Sequence, residues 1–176
     1  MSDTKMDRWD LAERTEAPFG PSSLNISASV PIGAEVQRIL YALATPEYME
    51  AWLQLPEVDR VECHSERRSF DRFRIDLLSA GKRQQSILGS CLLSKPNKIT
   101  YLWEKDHGGS RVRSTVEIYL LGGPTGCILK LKHSGFVSQD DREWHSAMWH
   151  RSLGKLCSLV EGTGITHYVR DHRAFN

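Results

Sequence analysis

The chain has 176 residues, 40% apolar and 26% charged, a composition that suits one globular domain and excludes wholesale disorder. Twenty-three Lys and Arg against twenty-two Asp and Glu leave a net charge of +1, which excludes the strongly basic footprint of a nucleic-acid binder and an acidic interaction tail. The longest apolar run, Ile39–Ala44, has six residues, far short of the roughly 18 that a membrane span needs.

Residues 1–23 hold Pro18, Gly20, Pro21 and many charges around a few large side chains such as Trp9, and read as a flexible arm. They contain no apolar signal-peptide core, so the expected compartment is the cytoplasm. Cys63, Cys91, Cys127 and Cys157 include no C-x-x-C pair and are expected to be reduced, mostly buried thiols.

From Leu24 to Val30, apolar Leu24, Ile26, Ala28 and Val30 alternate with Asn25, Ser27 and Ser29, which predicts a strand with one wet face, ended by Pro31. Val36, Ile39, Leu40 and Leu43 then fall at helical spacing over residues 34–44. Thr45-Pro46-Glu47 reads as an N-cap followed by proline at the first helical position, opening a short helix with Tyr48, Met49, Trp52 and Leu53. A meander follows: a strand over 58–64, a second over 70–78, a turn at Ala80-Gly81-Lys82, and a return over 84–93. Ile99, Tyr101 and Trp103 form the next inward row, and residues 106–110 read as a loop. Val116, Ile118 and Leu120 face one side of a further strand; Gly122 to Gly126 makes a hairpin connection; Cys127, Leu129, Leu131 and His133 share the face of the last strand. A long helix over about 139–161 places Trp149, Leu153, Leu156 and Val160 on one stripe, stopped by Gly162 and Gly164, and residues 163–176 form a polar tail.

A meander with one apolar face and a helix with one apolar stripe must bury against each other. The expectation is an α+β domain over residues 24–162, with a curved antiparallel sheet of about six to seven strands wrapped around the long C-terminal helix. A space is expected between helix and sheet, roofed by the two short helices near Trp52.

Pro31-x-x-x-Glu35-Val36, Leu40, Thr45-Pro46-Glu47 and Trp52 resemble the opening of the helix-grip superfamily, which includes START, polyketide-cyclase and birch-pollen-allergen-like proteins. Gly89-x-Cys91, Lys95-Pro96, Ile99-x-Tyr101-x-Trp103, Thr115-x-Glu117, Thr125-Gly126-Cys127, His133-Ser134-Gly135-Phe136 and Trp149-x-x-x-Leu153-x-x-Leu156 resemble its branch named for the activator of the heat-shock-protein-ninety ATPase. The pattern departs at Cys91, where the family usually has an aliphatic residue, and in a shorter start to the strand holding Phe70. The resemblance implies a helix-grip fold, whose members hold apolar small molecules between sheet and long helix and in some cases catalyse reactions. The branch name implies a link to a heat-shock chaperone.

The residues themselves narrow the chemistry. His145 and His150 lie five apart on one helix, about 140° around it, which does not suit a shared metal. No metal or other cofactor is expected. Asp71, Asp76 and Glu117 fall on the outward strand phase, and no Gly-x-Ser-x-Gly elbow is present. His133, in phase with Leu131, points inward, as a core histidine bonded to backbone or a tyrosine, or as a ligand contact. Arg72, Arg74, Lys82 and Arg83 read as a solvated outer face. The candidate ligand contacts are Trp52, Phe73, Ile75, Tyr101, Trp103, Ile118, Leu131, His133, Met148, Trp149 and Ser152. The leading expectation is non-catalytic binding of an apolar or aromatic small molecule. Alternatives are a co-chaperone-like module regulating a heat-shock chaperone ATPase, and a cyclase- or dehydratase-like enzyme using His133 or Tyr101.

Overall fold

The computed structural model describes residues 24–65, 72–107, 109–123 and 125–162. The arm over 1–23, the tail over 163–176, Trp9, Phe70 and Asp71 lie outside the described residues. The elements run β1 (Asn25–Ile32), α1 (Val36–Ala44), α2 (Pro46–Trp52), β2 (Arg60–Ser65), β3 (Phe73–Ser79), β4 (Lys82–Lys95), β5 (Lys98–His107), β6 (Ser110–Gly123), β7 (Gly126–Ser134) and α3 (Gln139–Glu161).

The seven strands form one sheet in the order β1-β7-β6-β5-β4-β3-β2. Every neighbouring pair is antiparallel. β2 to β7 is therefore a plain meander, and β1 returns across the chain to pair with β7, the strand that immediately precedes α3. The apolar alternation settles which face is buried: Ile26, Val30 and Ile32 of β1, Val116, Ile118 and Leu120 of β6 and Leu129 and Leu131 of β7 all join one core with the α3 stripe. α3 begins at Ser138, whose hydroxyl accepts from the Asp141 N–H at 3.1 Å, and Asp140 and Asp141 in its first turn suit the positive end of the helix dipole. This is the α+β helix-grip arrangement.

Two local features depart from the sequence expectations. β1 continues through Pro31 to Ile32 instead of stopping at the proline. It is the edge strand, and Pro31 is exposed opposite Ile128, so the missing N–H costs the ladder little. The expected loop over 106–110 is strand on both sides: His107 pairs with Ser110. The β3–β4 connection is as tight as expected, with Ala80 and Gly81 both at positive φ (51° and 73°), the geometry of a two-residue hairpin. No disulfide joins the four cysteines; Cys91, Cys127 and Cys157 are buried and Cys63 is half-buried.

Gly89 shows how closely the inner face is packed. It lies between Phe73 on β3 and Trp103 on β5 in register, and a Cβ there would overlap the Phe73 ring. Gly89→Ala is expected to lower stability by about 1–3 kcal/mol in urea unfolding, the usual cost of overpacking a core. A variant as stable as the parent would mean that the Phe73 ring yields at no cost.

Candidate functional site

All eleven candidate residues are buried, and the aromatic ones meet one another between the sheet and α3. Trp149 of α3 stacks on Trp103 of β5 (centroids 5.6 Å, planes 15° apart) and on Trp52 of α2 (6.4 Å, 20°). Tyr101 and Phe73 extend the array along the sheet, Tyr101 lying 6.3 Å from Trp103 and meeting Phe73 edge-on at 6.0 Å. Ile75, Ile118, Leu131 and Met148 belong to the same core. The space expected between helix and sheet is thus occupied by the protein's own rings.

The polar tips are engaged. Tyr101 donates to the Leu43 carbonyl at 2.6 Å, and burial pushes its phenol well above the ordinary range, with Cys91 and Cys63 adding to the shift. Ser152 accepts from the Gln54 N–H at 2.9 Å and donates to the Gln54 carbonyl at 3.2 Å. Trp52 donates to the Ala42 carbonyl at 3.0 Å. These bonds tie α1, α2 and the segment after α2 to the sheet and to α3.

His133 is the polar centre of the array. The Trp149 indole N–H, which can only donate, reaches His133 Nδ1 at 2.9 Å. The ring proton therefore sits on Nε2 and is donated to Ser114 Oγ at 2.9 Å. The partners differ from the backbone or tyrosine expected from the sequence. Burial, reinforced by neighbouring His145, pushes the imidazole down from 6.5 to about 2. A neutral ring with both nitrogens committed is a poor general base.

At one end of the array the packing opens into a cleft lined by Ile87, Trp103, Lys105, Val112, Ser114, Asp141 and His145, with room for about 10 Å³. That holds a single water, and falls far below the ~300–1,000 Å³ of ordinary ligand pockets. Lys105 sits 3.7 Å from the Asp141 carboxylate and 4.1 Å above the Trp144 ring. Burial lowers its ammonium from the usual lysine range, and Asp141 opposes that shift. His145 Nδ1 donates to the Asp141 carbonyl at 2.7 Å, and burial lowers this imidazole too, against the pull of Asp141. The two histidine rings meet edge-on at 4.9 Å.

Lys105, Ser114 and Asp141 are absent from the residues singled out in the sequence, and His145 is considered there only as a metal ligand. His145 lies four before Trp149, so it extends the α3 stripe by one turn, and Lys105 is two beyond Trp103, in the same inward phase. Asp76 carries a second surprise. It is on the outer face, as its phase requires, yet only 5% exposed, bonded to Ser86 at 2.6 Å and flanked by Arg74 at 3.1 Å and His64 at 3.3 Å. Burial raises its carboxyl, but the Ser86 bond and the Arg74 guanidinium outweigh that and hold it below the ordinary range.

A family model described as "Activator of Hsp90 ATPase homolog 1-like protein" matches residues 34–161. The chain belongs to that family. No curated protein matches it. Among solved structures, this domain is similar to protein CV1439 from Chromobacterium violaceum, with 20% identity over 78% of this chain and 97% of that one, TM-score 0.68. Protein MLL2253 from Mesorhizobium loti is 22% identical over 78% and 96% of the two chains, TM-score 0.63, and CalU16 from Micromonospora echinospora 20% identical over 81% and 79%, TM-score 0.56. At these identities the likeness speaks for the fold. The branch resemblance read from Tyr101, Trp103, His133 and Trp149 and the family match agree.

The depressed imidazole has a measurable consequence. In the unfolded chain His133 titrates near 6.5, while in the core it stays neutral down to about 2, so below pH 6.5 the unfolded chain takes up a proton that the folded one refuses. Stability falls as pH drops through that window, by up to about 1.4 kcal/mol per pH unit for this group. His145 is shifted in the same direction and adds to the slope. His133→Gln is expected to reduce the slope by about one proton in urea titrations between about pH 7 and pH 5. An unchanged slope would show that the imidazole protonates within the fold.

Proposed function

We propose that this domain binds an apolar or aromatic small molecule, without catalysis, between the sheet and α3. The observation that carries this reading is the parallel column Trp52–Trp149–Trp103, which offers flat apolar faces and ends at a cleft. Because the column fills the groove, a ligand gains its place by displacing a ring or lifting α3. Its apparent affinity is then reduced by the fraction of molecules that are open. The candidate contacts are Trp52, Phe73, Tyr101, Trp103 and Trp149, with Ile75, Ile118, Leu131 and Met148 behind them. The commitment of His133 and Tyr101 to internal bonds supports the non-catalytic form over a cyclase- or dehydratase-like one. A native-mass and thermal-shift screen with fatty acids, naphthalenes and aromatic acids should yield a one-to-one adduct. At a hundredfold excess over its Kd, the ligand should raise Tm by roughly 5–10 °C and change tryptophan emission. A screen with no adduct would remove the reading, and an adduct that leaves the emission untouched would place the ligand outside the column.

A second reading, a protein-binding module acting on a heat-shock chaperone ATPase, draws support from the outer sheet face. Leu121 (44% exposed) and Ile128 (43%) are register partners there, and exposed Pro31 lies opposite Ile128 on the neighbouring strand. It predicts altered ATP turnover of the chaperone by the parent protein and loss of that effect in a Leu121→Glu, Ile128→Glu variant with an unchanged melt. No effect of the parent at saturation would remove it.

A further inference from the structure

The cleft beside the tryptophan column holds two donors left without an acceptor among the described residues, and they specify a chemistry. Trp103 is 1% exposed, yet its indole N–H has no hydrogen-bond partner among the described residues. An indole can only donate, so the group pays the full cost of burial unless something accepts from it. Ser114 stands directly opposite Trp103 in the β5–β6 register. Its oxygen accepts from His133 Nε2, because Trp149 has already claimed Nδ1, and its own hydroxyl hydrogen has no acceptor among the described residues. Both residues line the same cleft.

Charge and size narrow what could satisfy them. Lys105 contributes one positive charge and Asp141 one negative charge 3.7 Å away, while burial keeps His145 neutral, so the cleft carries no net charge. A carboxylate placed there would face the Asp141 carboxylate. A carbonyl oxygen brings two lone pairs for two donors and no charge. The room for about 10 Å³ matches one such oxygen and excludes a whole ring.

We propose that the cleft formed by Trp103, Ser114 and Lys105 is the polar subsite of the binding groove, taking the neutral carbonyl oxygen of a ligand with an aromatic or apolar body. The subsite rests on the ligand-binding reading above and gives the ligand its polar end: a ketone, ester, amide or quinone whose hydrocarbon part lies along Trp103 and Trp149. Trp103 and Ser114 supply the two hydrogen bonds, and Lys105 contributes a positive field toward the oxygen, balanced by Asp141.

Three probes on one skeleton test this with the full chain: 2-ethylnaphthalene, 2-acetylnaphthalene and 2-naphthoate. The ketone is expected to bind about tenfold more tightly than the hydrocarbon or the carboxylate, in keeping with two neutral hydrogen bonds gained in place of water. Its carbonyl stretch in the complex should fall to the value seen in a protic solvent. Ser114→Ala, checked by its melt, should remove several-fold of the ketone's advantage over the hydrocarbon when both are measured on that variant. Equal binding of ketone and hydrocarbon, or a carbonyl stretch at its apolar-solvent position, overturns the subsite, and water then holds the cleft. Tightest binding of the naphthoate overturns the neutral assignment. If no naphthalene binds while other compounds of the wider screen do, the subsite falls alone; if no compound binds at all, the ligand-binding reading falls with it.

Discussion

One hydrogen bond holds the interior in register: the Trp149 indole N–H donating to His133 Nδ1 at 2.9 Å. It joins the middle of α3 to β7, settles the tautomer of the imidazole, and thereby makes His133 a donor to Ser114 on β6. With Trp149 so oriented, its ring lies near-parallel to both Trp52 and Trp103, and the stacked rings span from α2 to β5. A buried imidazole and a buried indole each carry a polar atom that would be costly alone, and pairing them removes the cost for both. The orphaned N–H of Trp103 stands out against this background, because its neighbours in the array are satisfied.

Much of the architecture was legible because its causes are local. Period-two alternation marks the inner face of β1, β5, β6 and β7, and the stripe Trp149, Leu153, Leu156 and Val160 marks the buried side of α3; one apolar face for one stripe leaves a single plausible packing. The errors have equally physical causes. Pro31 reads as a strand breaker, but the rule weakens at a sheet edge, and which strand forms the edge is a property of the topology. Glycine at 108 and 109 suggests a loop over 106–110, whereas the cross-strand partners of Asp106 and His107 supply pairing that no short window contains.

The site was legible only in part. Phase alone put Tyr101, Trp103 and His133 inside, but not their partners. Those lie far away in sequence: Leu43 for Tyr101, Ser114 and Trp149 for His133. Whether the gap between sheet and helix is open depends on the ring volumes and rotamers of residues from four elements, which periodicity does not encode. Lys105 and Asp141 were passed over because charged residues in an amphipathic pattern are normally assigned to solvent, and here the two neutralise each other at the rim of the core. Asp76 shows the same compensation on the opposite face, where Ser86 and Arg74 keep a nearly buried carboxylate ionised.

Polar tethers hold α3 at both ends. Around α1, α2 and the C-terminal part of α3 they are dense. Tyr101 holds Leu43, Trp52 holds Ala42, and Ser152 holds both backbone groups of Gln54. Glu161 accepts from the Gly33 N–H at 2.8 Å and Arg38 donates to the Gly162 carbonyl. Opening the roof would break several buried bonds together. At the N-terminal end of α3 the polar ties to the sheet include the Arg142 bond to the Asn25 carbonyl at 3.0 Å and the Lys105–Asp141 pair at 3.7 Å, both part-buried, with the Lys105 ammonium over the Trp144 ring beside them. The cleft lies at that same end, against the Trp103 wall. On the proposed ligand-binding reading, the mouth of the groove is therefore placed by the cleft and the unpaired Trp103 donor beside the first turns of α3, rather than by a count of tethers.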